Sequence, residues 1–109
     1  MNIIGDIKGK NCIILDDMID TAGTITNAAN AIKDMGAKEV YACATHGVLS
    51  GPAIERLEKS AIKELVILNT LPIPEEKKID KMTILSAAPI FAETISRVYT
   101  HGSVSAMFN

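Results

Sequence analysis

Asp16, Asp17 and Asp20 lie close together and run straight into Thr21-Ala22-Gly23-Thr24. Carboxylates accept hydrogen bonds from sugar hydroxyls or help to hold a divalent cation, whereas hydroxyls and amides near a glycine donate to an anion. Gly23 lets a ligand approach the backbone, Thr21 and Thr24 add hydroxyl donors, and the amides from Thr21 to Thr24 are placed to wrap a phosphate. The acids would repel a bare phosphate, since two like charges ~4 Å apart at an effective dielectric of ~20 interact at ~4 kcal/mol. A sugar phosphate removes the conflict, with its hydroxyls on the carboxylates and its phosphate on the amides; a bound Mg²⁺ would do the same. An ordinary helix cap explains any one of these residues. The whole set, directly after an apolar run, points to a ligand.

The flanking elements set the loop's place in the fold. Cys12-Ile13-Ile14-Leu15 is short, apolar and rich in β-branched residues, which predicts a buried strand. Ile25, Ala28, Ala29, Ile32 and Met35 form an apolar stripe at helical spacing that stops at Gly36, a residue suited to a left-handed cap. The loop therefore occupies a strand-to-helix turn, where an open parallel sheet binds ligands and a helix offers free N–H groups. No Gly-Lys-Ser/Thr and no three-glycine turn occur, which excludes a nucleotide P-loop and a dinucleotide fingerprint.

Further along, Glu39 to Thr45 predicts a second strand, giving a right-handed βαβ unit. It runs into Thr45-His46-Gly47-Val48-Leu49-Ser50-Gly51-Pro52, where His46 is a candidate hydrogen-bonding partner for a phosphate or the sugar, or simply a polar residue closing a strand. Ser50 reads as the N-cap of a second helix, with Ile54 and Leu57 facing the sheet. Glu64 to Thr70 and Met82 to Ser86 predict two more strands, and Ile3 to Ile7 a short edge strand turning through Lys8-Gly9-Lys10. Ala88, Phe91, Ile95 and Val98 form the apolar stripe of a third helix. Tyr41 and Phe91 are expected in the core, and Val104, Met107 and Phe108 are expected to pack on this domain or a neighbouring subunit. Together these elements predict an α/β three-layer sandwich with a mostly parallel central sheet.

The segment Asp16 to Thr24 resembles the ribose-phosphate loop of the ribose-phosphate pyrophosphokinases, or phosphoribosyl pyrophosphate (PRPP) synthetases. The resemblance continues through Ala44-Thr45-His46-Gly47-Val48-Leu49-Ser50-Gly51-Pro52-Ala53 and into Ser103-Val104-Ser105. It implies a type I phosphoribosyltransferase-like fold, a single domain over residues 1–109, and a carboxyl-terminal fragment of a longer two-domain enzyme. The implied parent reaction moves the β,γ-pyrophosphoryl group of ATP to the anomeric hydroxyl of ribose 5-phosphate, giving PRPP and AMP with Mg²⁺. On this resemblance Asp16, Asp17, Asp20, Thr21, Ala22, Gly23, Thr24 and His46 bind the sugar phosphate, and Asp16 and Asp17 are the candidate metal ligands. The same resemblance implies that Ser103 and Ser105 belong to a regulatory anion site between subunits of a homo-oligomer. ATP is reached only through the missing amino-terminal half, so the isolated chain is expected to be inactive, and no residue here stands out as a catalytic base. A phosphoribosyltransferase and a catalytically silent regulatory relative are the alternatives.

Composition narrows the partners. The 109 residues are 48% hydrophobic with a formal net charge of −2, enough for one core and without the basic block that nucleic acid or an anionic membrane would need. No segment approaches the ~20 apolar residues of a membrane span, and Met1 to Asp6 lacks the pattern of a signal peptide, so a cytoplasmic chain is expected. Cys12 and Cys43 have no metal-binding or redox spacing and are expected to be reduced core residues. Of the two arginines, Arg56 and Arg97, both fall within helices, away from any loop expected to face the ligand.

Overall fold

The computed structural model describes residues 3–109, so the part of the amino-terminal expectation that falls on Met1 and Asn2 lies outside it. Four strands form one sheet in chain order, all parallel: β1 (Asn11–Ile19), β2 (Glu39–Gly47), β3 (Ile62–Leu68) and β4 (Met82–Leu85). Three helices follow strands, α1 (Gly23–Asp34), α2 (Ala53–Lys59) and α3 (Ala88–Tyr99). The fold is α/β with a parallel central sheet, as its alternating apolar runs and stripes predict.

Strands that pair in chain order all step the same way, so right-handed crossovers put α1 and α2 on the same face. The core lies between them and the sheet: Ile25 and Ala29 from α1, Ala53 and Leu57 from α2, and Val40, Ala42, Leu65 and Ile67 from the strands are all buried. Helix α1 ends as expected, with Gly36 at φ 101° and the Ala37 amide donating back to the Ile32 carbonyl. Behind α2, Lys81 supplies a cation where the last carbonyls need donors: its Nζ donates to the carbonyls of Leu57 and Ile62, each at 2.8 Å.

The other face of the sheet is open in this chain. Ile13 and Leu15 are 64% and 78% exposed, and their register partners Tyr41 and Cys43 are half-buried beside them. Tyr41 is thus not a core residue. The cysteines are free and divided between the faces, Cys12 bordering the core and Cys43 opposite Leu15 on the open side. Helix α3 buries none of its residues. Its expected stripe is present but Phe91, Ile95 and Val98 stay exposed, because among the described residues α3 makes no extensive contact with any strand. The tail folds back lightly, with Met107 Sδ 3.7 Å from Thr94 Oγ1, while Phe108 remains exposed.

Residues 3–7 form no strand. Gly5, at φ 101°, breaks the extended run, and Ile4 is fully exposed. The turn through Gly9 does form, closed by the Lys10 amide on the Ile7 carbonyl, and it docks on the end of α1 through the Gly9 amide and the Gly36 carbonyl.

Candidate functional site

Strand β1 runs further than its apolar residues suggest and carries Asp16 and Asp17 within it. Its alternation shifts by one residue on the way: Ile14 packs on the core and Leu15 is exposed, yet Ile19 is buried and Met18 is not. The true loop is short, from Asp20 to Ala22, and α1 begins at Gly23.

What distinguishes this loop is where its carbonyls go. The Ile19 carbonyl accepts from the amides of Val48 and Leu49 at 2.9 and 3.1 Å, and the Asp20 carbonyl accepts from the Ser50 amide at 2.9 Å. The Thr21 carbonyl accepts from Arg56 Nη1 at 3.1 Å. The Ala22 carbonyl accepts from Thr26 Oγ1 at 2.5 Å and from the Thr26 amide at 3.2 Å. Four consecutive carbonyls are therefore tied to the protein. In a trans peptide the N–H points opposite to the C=O, so the amides of residues 20–23 are turned the other way. None of the amides from 20 to 24 meets an acceptor among the described residues.

Two backbone positions make this possible. Ala22 adopts the left-handed conformation, φ 65° and ψ 12°, and no side chain caps α1. Leu49, fully buried, is also left-handed at φ 56°, which turns the β2–α2 connection so that three successive amides reach β1's end. Each such non-glycine residue costs roughly 1–2 kcal/mol. Ser50 serves through its backbone amide; Pro52, not Ser50, holds the N-cap position of α2, without a side-chain cap.

The residues of this turn border a cavity of about 200 Å³ lined by Asp16, Met18, Ile19, Asp20, Thr21, Ala22, Gly23, Thr24 and Ile25. The structure thus gathers Asp16, Asp20, Thr21, Ala22, Gly23 and Thr24 around one opening. Asp17 is exposed and outside that wall, its amide donating to Asp16 Oδ1 at 2.8 Å. His46 also lies outside it, on β2 beside Met18, with Nδ1 2.7 Å from Thr70 Oγ1. At the far end of the chain Ser103 and Ser105 do meet, their hydroxyl oxygens 3.1 Å apart, while Arg97 Nη1 donates to the Ser103 carbonyl at 2.7 Å and the Ala106 amide to Ser103 Oγ.

Arg56 is the residue that sequence reasoning missed. It sits in α2 as expected, but its guanidinium reaches back to the loop and would lie 3.2 Å from a Cβ placed on Gly23. Its position within a helix hid this, because helix membership says nothing about the reach of a long side chain.

For a metal, no group of three or more His, Cys, Asp or Glu residues is gathered among the described residues. Asp16 and Asp20 offer two carboxylates on one cavity wall. That is too few for an all-protein cage but matches Mg²⁺, which keeps waters and binds through one or two carboxylates plus substrate phosphates. Among the described residues no helix is long and apolar enough to cross a membrane.

Comparison with known proteins bears on this geometry. Curated relatives named ribose-phosphate pyrophosphokinase include one from Clostridium acetobutylicum, 67% identical over 108 residues, and one from Caldanaerobacter subterraneus, 65% identical over 108 residues; each alignment covers 99% of this chain and 34% of the relative. The crystal structure of phosphoribosylpyrophosphate synthetase from Mycobacterium smegmatis superposes with a TM-score of 0.87 at 52% identity, over 91% of this chain and 33% of that one. The chain thus spans about a third of the length of the proteins it matches. The family model described as phosphoribosyl synthetase-associated domain matches residues 1–109 throughout, and the chain belongs to that family.

Proposed function

We propose that this chain is the ribose 5-phosphate and PRPP-binding part of a ribose-phosphate pyrophosphokinase, the enzyme that converts ATP and ribose 5-phosphate to AMP and PRPP. The observation that carries the proposal is the run of carbonyls from Ile19 to Ala22 tied to the protein, which leaves consecutive amides, in residues that line one cavity with Asp16 and Asp20, without an acceptor among the described residues. Amides and the start of α1 suit the 5-phosphate, and carboxylates suit the ribose hydroxyls. Thr21 and Thr24 add hydroxyl donors at the same opening, and Asp17 and His46 serve from its margin. Mg²⁺, when bound, would neutralise phosphate charge, held by substrate oxygens with Asp16 and Asp17, or Asp20, beside it.

Pyrophosphoryl transfer depends on positioning and on cations. The ATP site and most of those cations are assigned to the portion of the relatives that this chain does not span, so the chain alone is expected to bind ribose 5-phosphate without turning it over. A cytoplasmic homo-oligomer with Ser103 and Ser105 near a subunit boundary completes the proposal. Its test is a titration of the chain with ribose 5-phosphate, ribose and inorganic phosphate, followed through ¹H–¹⁵N amide shifts. Ribose 5-phosphate should move the amides of residues 20–24 and ribose alone should leave them in place. Shifts confined to other parts of the chain, or none at millimolar ligand, would overturn it.

A further inference from the structure

Of the four inward-turned carbonyls, those of Ile19, Asp20 and Ala22 each receive a backbone amide. Thr21 does not. Its partner is Arg56 Nη1, 3.1 Å away on a different element and 35 positions further along the chain. The Thr21–Ala22 peptide is also where the backbone turns left-handed, with Ala22 at φ 65°. An unanchored peptide beside such a residue can rotate to bring its carbonyl, rather than its N–H, toward the cavity. A carbonyl there would repel a phosphate that the N–H would bind.

The guanidinium is available for this task. Lys59 is committed to Glu55, 2.6 Å away, and holds that carboxyl below its ordinary value by hydrogen bond and then by charge. Arg56 has no carboxylate within ion-pair distance among the described residues. It lines a separate cleft of about 460 Å³ between α1 and α2, shared with Gly23, Thr26, Asn30 and Lys59, and is absent from the wall of the loop cavity. It thus approaches the loop from the α2 side, outside that wall.

We infer that Arg56 is a positioning residue, which fixes the Thr21–Ala22 peptide with its N–H toward the phosphate and thereby pre-organises the loop. This deepens the sugar-phosphate proposal and rests on it for the identity of the ligand, but not for the state of the empty loop. The trans geometry makes the effect obligatory: a carbonyl held on Arg56 sends the Ala22 N–H to the opposite side. Pre-organisation then raises affinity by sparing the loop an ordering cost on binding. Gly23 belongs to the same device, since its missing side chain leaves the guanidinium room to reach past it.

The test compares Arg56→Met and Arg56→Lys with the parent chain. In the ligand-free protein, Arg56→Met should lower the ¹⁵N order parameters of Ala22 and Gly23 and shift their amide resonances, while Arg56→Lys, which keeps a donor, should restore them in part. For ribose 5-phosphate, Arg56→Met should weaken binding about ten-fold, ~1.4 kcal/mol, with Arg56→Lys in between. Unchanged order parameters and shifts at Ala22 in the empty Arg56→Met chain overturn the inference, whatever the ligand does. Altered loop order in a chain that binds no ribose 5-phosphate in any form would instead remove the sugar-phosphate proposal and leave the positioning role standing. Should Arg56→Met not fold, Arg56→Lys and Gly23→Ala, which crowds the guanidinium, carry the same readout: undisturbed Ala22 resonances in both would overturn the inference.

Discussion

His46 and Thr70 meet across the ends of β2 and β3, with Nδ1 2.7 Å from Oγ1, and the same threonine oxygen lies 3.2 Å from the Thr45 carbonyl. A hydroxyl has one proton to give. With that proton on the Thr45 carbonyl, which can only accept, the His46 Nδ1 must be the donor. Neutral His46 then carries its hydrogen on Nδ1 and presents Nε2 as an acceptor. That choice suits a hydroxyl-bearing ligand at the margin of the site.

Thr70→Val tests this arrangement. Replacing the hydroxyl removes the acceptor, so neutral His46 should move from the Nδ1–H to the Nε2–H tautomer. Long-range ¹H–¹⁵N correlation spectra of the imidazole distinguish the two directly. A parent chain already dominated by the Nε2–H form would refute the assignment.

Ala22 is held left-handed by its neighbours rather than by its own preference. In Ala22→Gly, relief of roughly 1–2 kcal/mol of backbone strain is offset by one lost buried methyl, ~0.8 kcal/mol, and by the greater freedom of glycine in the unfolded chain, roughly 0.5–1 kcal/mol. The midpoint of thermal unfolding should therefore change little. Affinity for ribose 5-phosphate should still drop several-fold, because a glycine lets the 22–23 peptide wander when no ligand is present. Calorimetric titration with unaltered affinity would show that Thr26 and Arg56 hold the loop regardless of the residue between them.

Lys81 gives a prediction with a pH signature. Its ammonium donates to carbonyls at the end of α2 and start of β3. Lys81→Met leaves those acceptors without the donor and should cost about 1–3 kcal/mol, read from denaturant unfolding. Burial, partly offset by Glu58, pushes this lysine below its ordinary 10.5. The unfolded chain therefore binds more protons than the folded one in the alkaline range just beneath that value, so stability attributable to Lys81 rises with pH there. A neutral amine keeps two N–H donors, enough for the two closest carbonyls. The gap between parent and Lys81→Met should widen as pH climbs through this window, and a gap that narrows would mean that the carbonyls favour the charged form more than burial opposes it.

Much of this was legible in the sequence, for local reasons. β1, α1 and the cap at Gly36 follow from short apolar runs, helical spacing and one residue suited to positive φ. That acids, threonines and a glycine meet at one strand-to-helix turn followed from their order in one stretch. What escaped was set by distant partners. Ile3 to Ile7 has the composition of a strand, but among the described residues no neighbour pairs with it. The reach of Arg56 to Thr21 and the donors that Val48, Leu49 and Ser50 give to the carbonyls of Ile19 and Asp20 depend on how two βα connections converge. The shift in alternation between Leu15 and Ile19, which separates Asp17 from the cavity wall, is likewise invisible to a period-two pattern.

The stripe on α3 illustrates the same limit and gives the last prediction. Its spacing is that of a core-facing helix, yet Ile95 is 68% exposed and the helix buries nothing. Ile95→Glu should therefore cost this chain no more than ~0.5 kcal/mol, the range for surface substitutions, and should lower its tendency to self-associate, because a contiguous apolar surface is broken by a charge. Leu57→Ala, at a fully buried position of α2, supplies the contrast at roughly 2–5 kcal/mol. Denaturant unfolding of both variants, with sedimentation velocity of the first, decides the matter: an Ile95→Glu loss approaching that of Leu57→Ala would mean that α3 lies against the sheet in solution and that its stripe helps to hold the domain together.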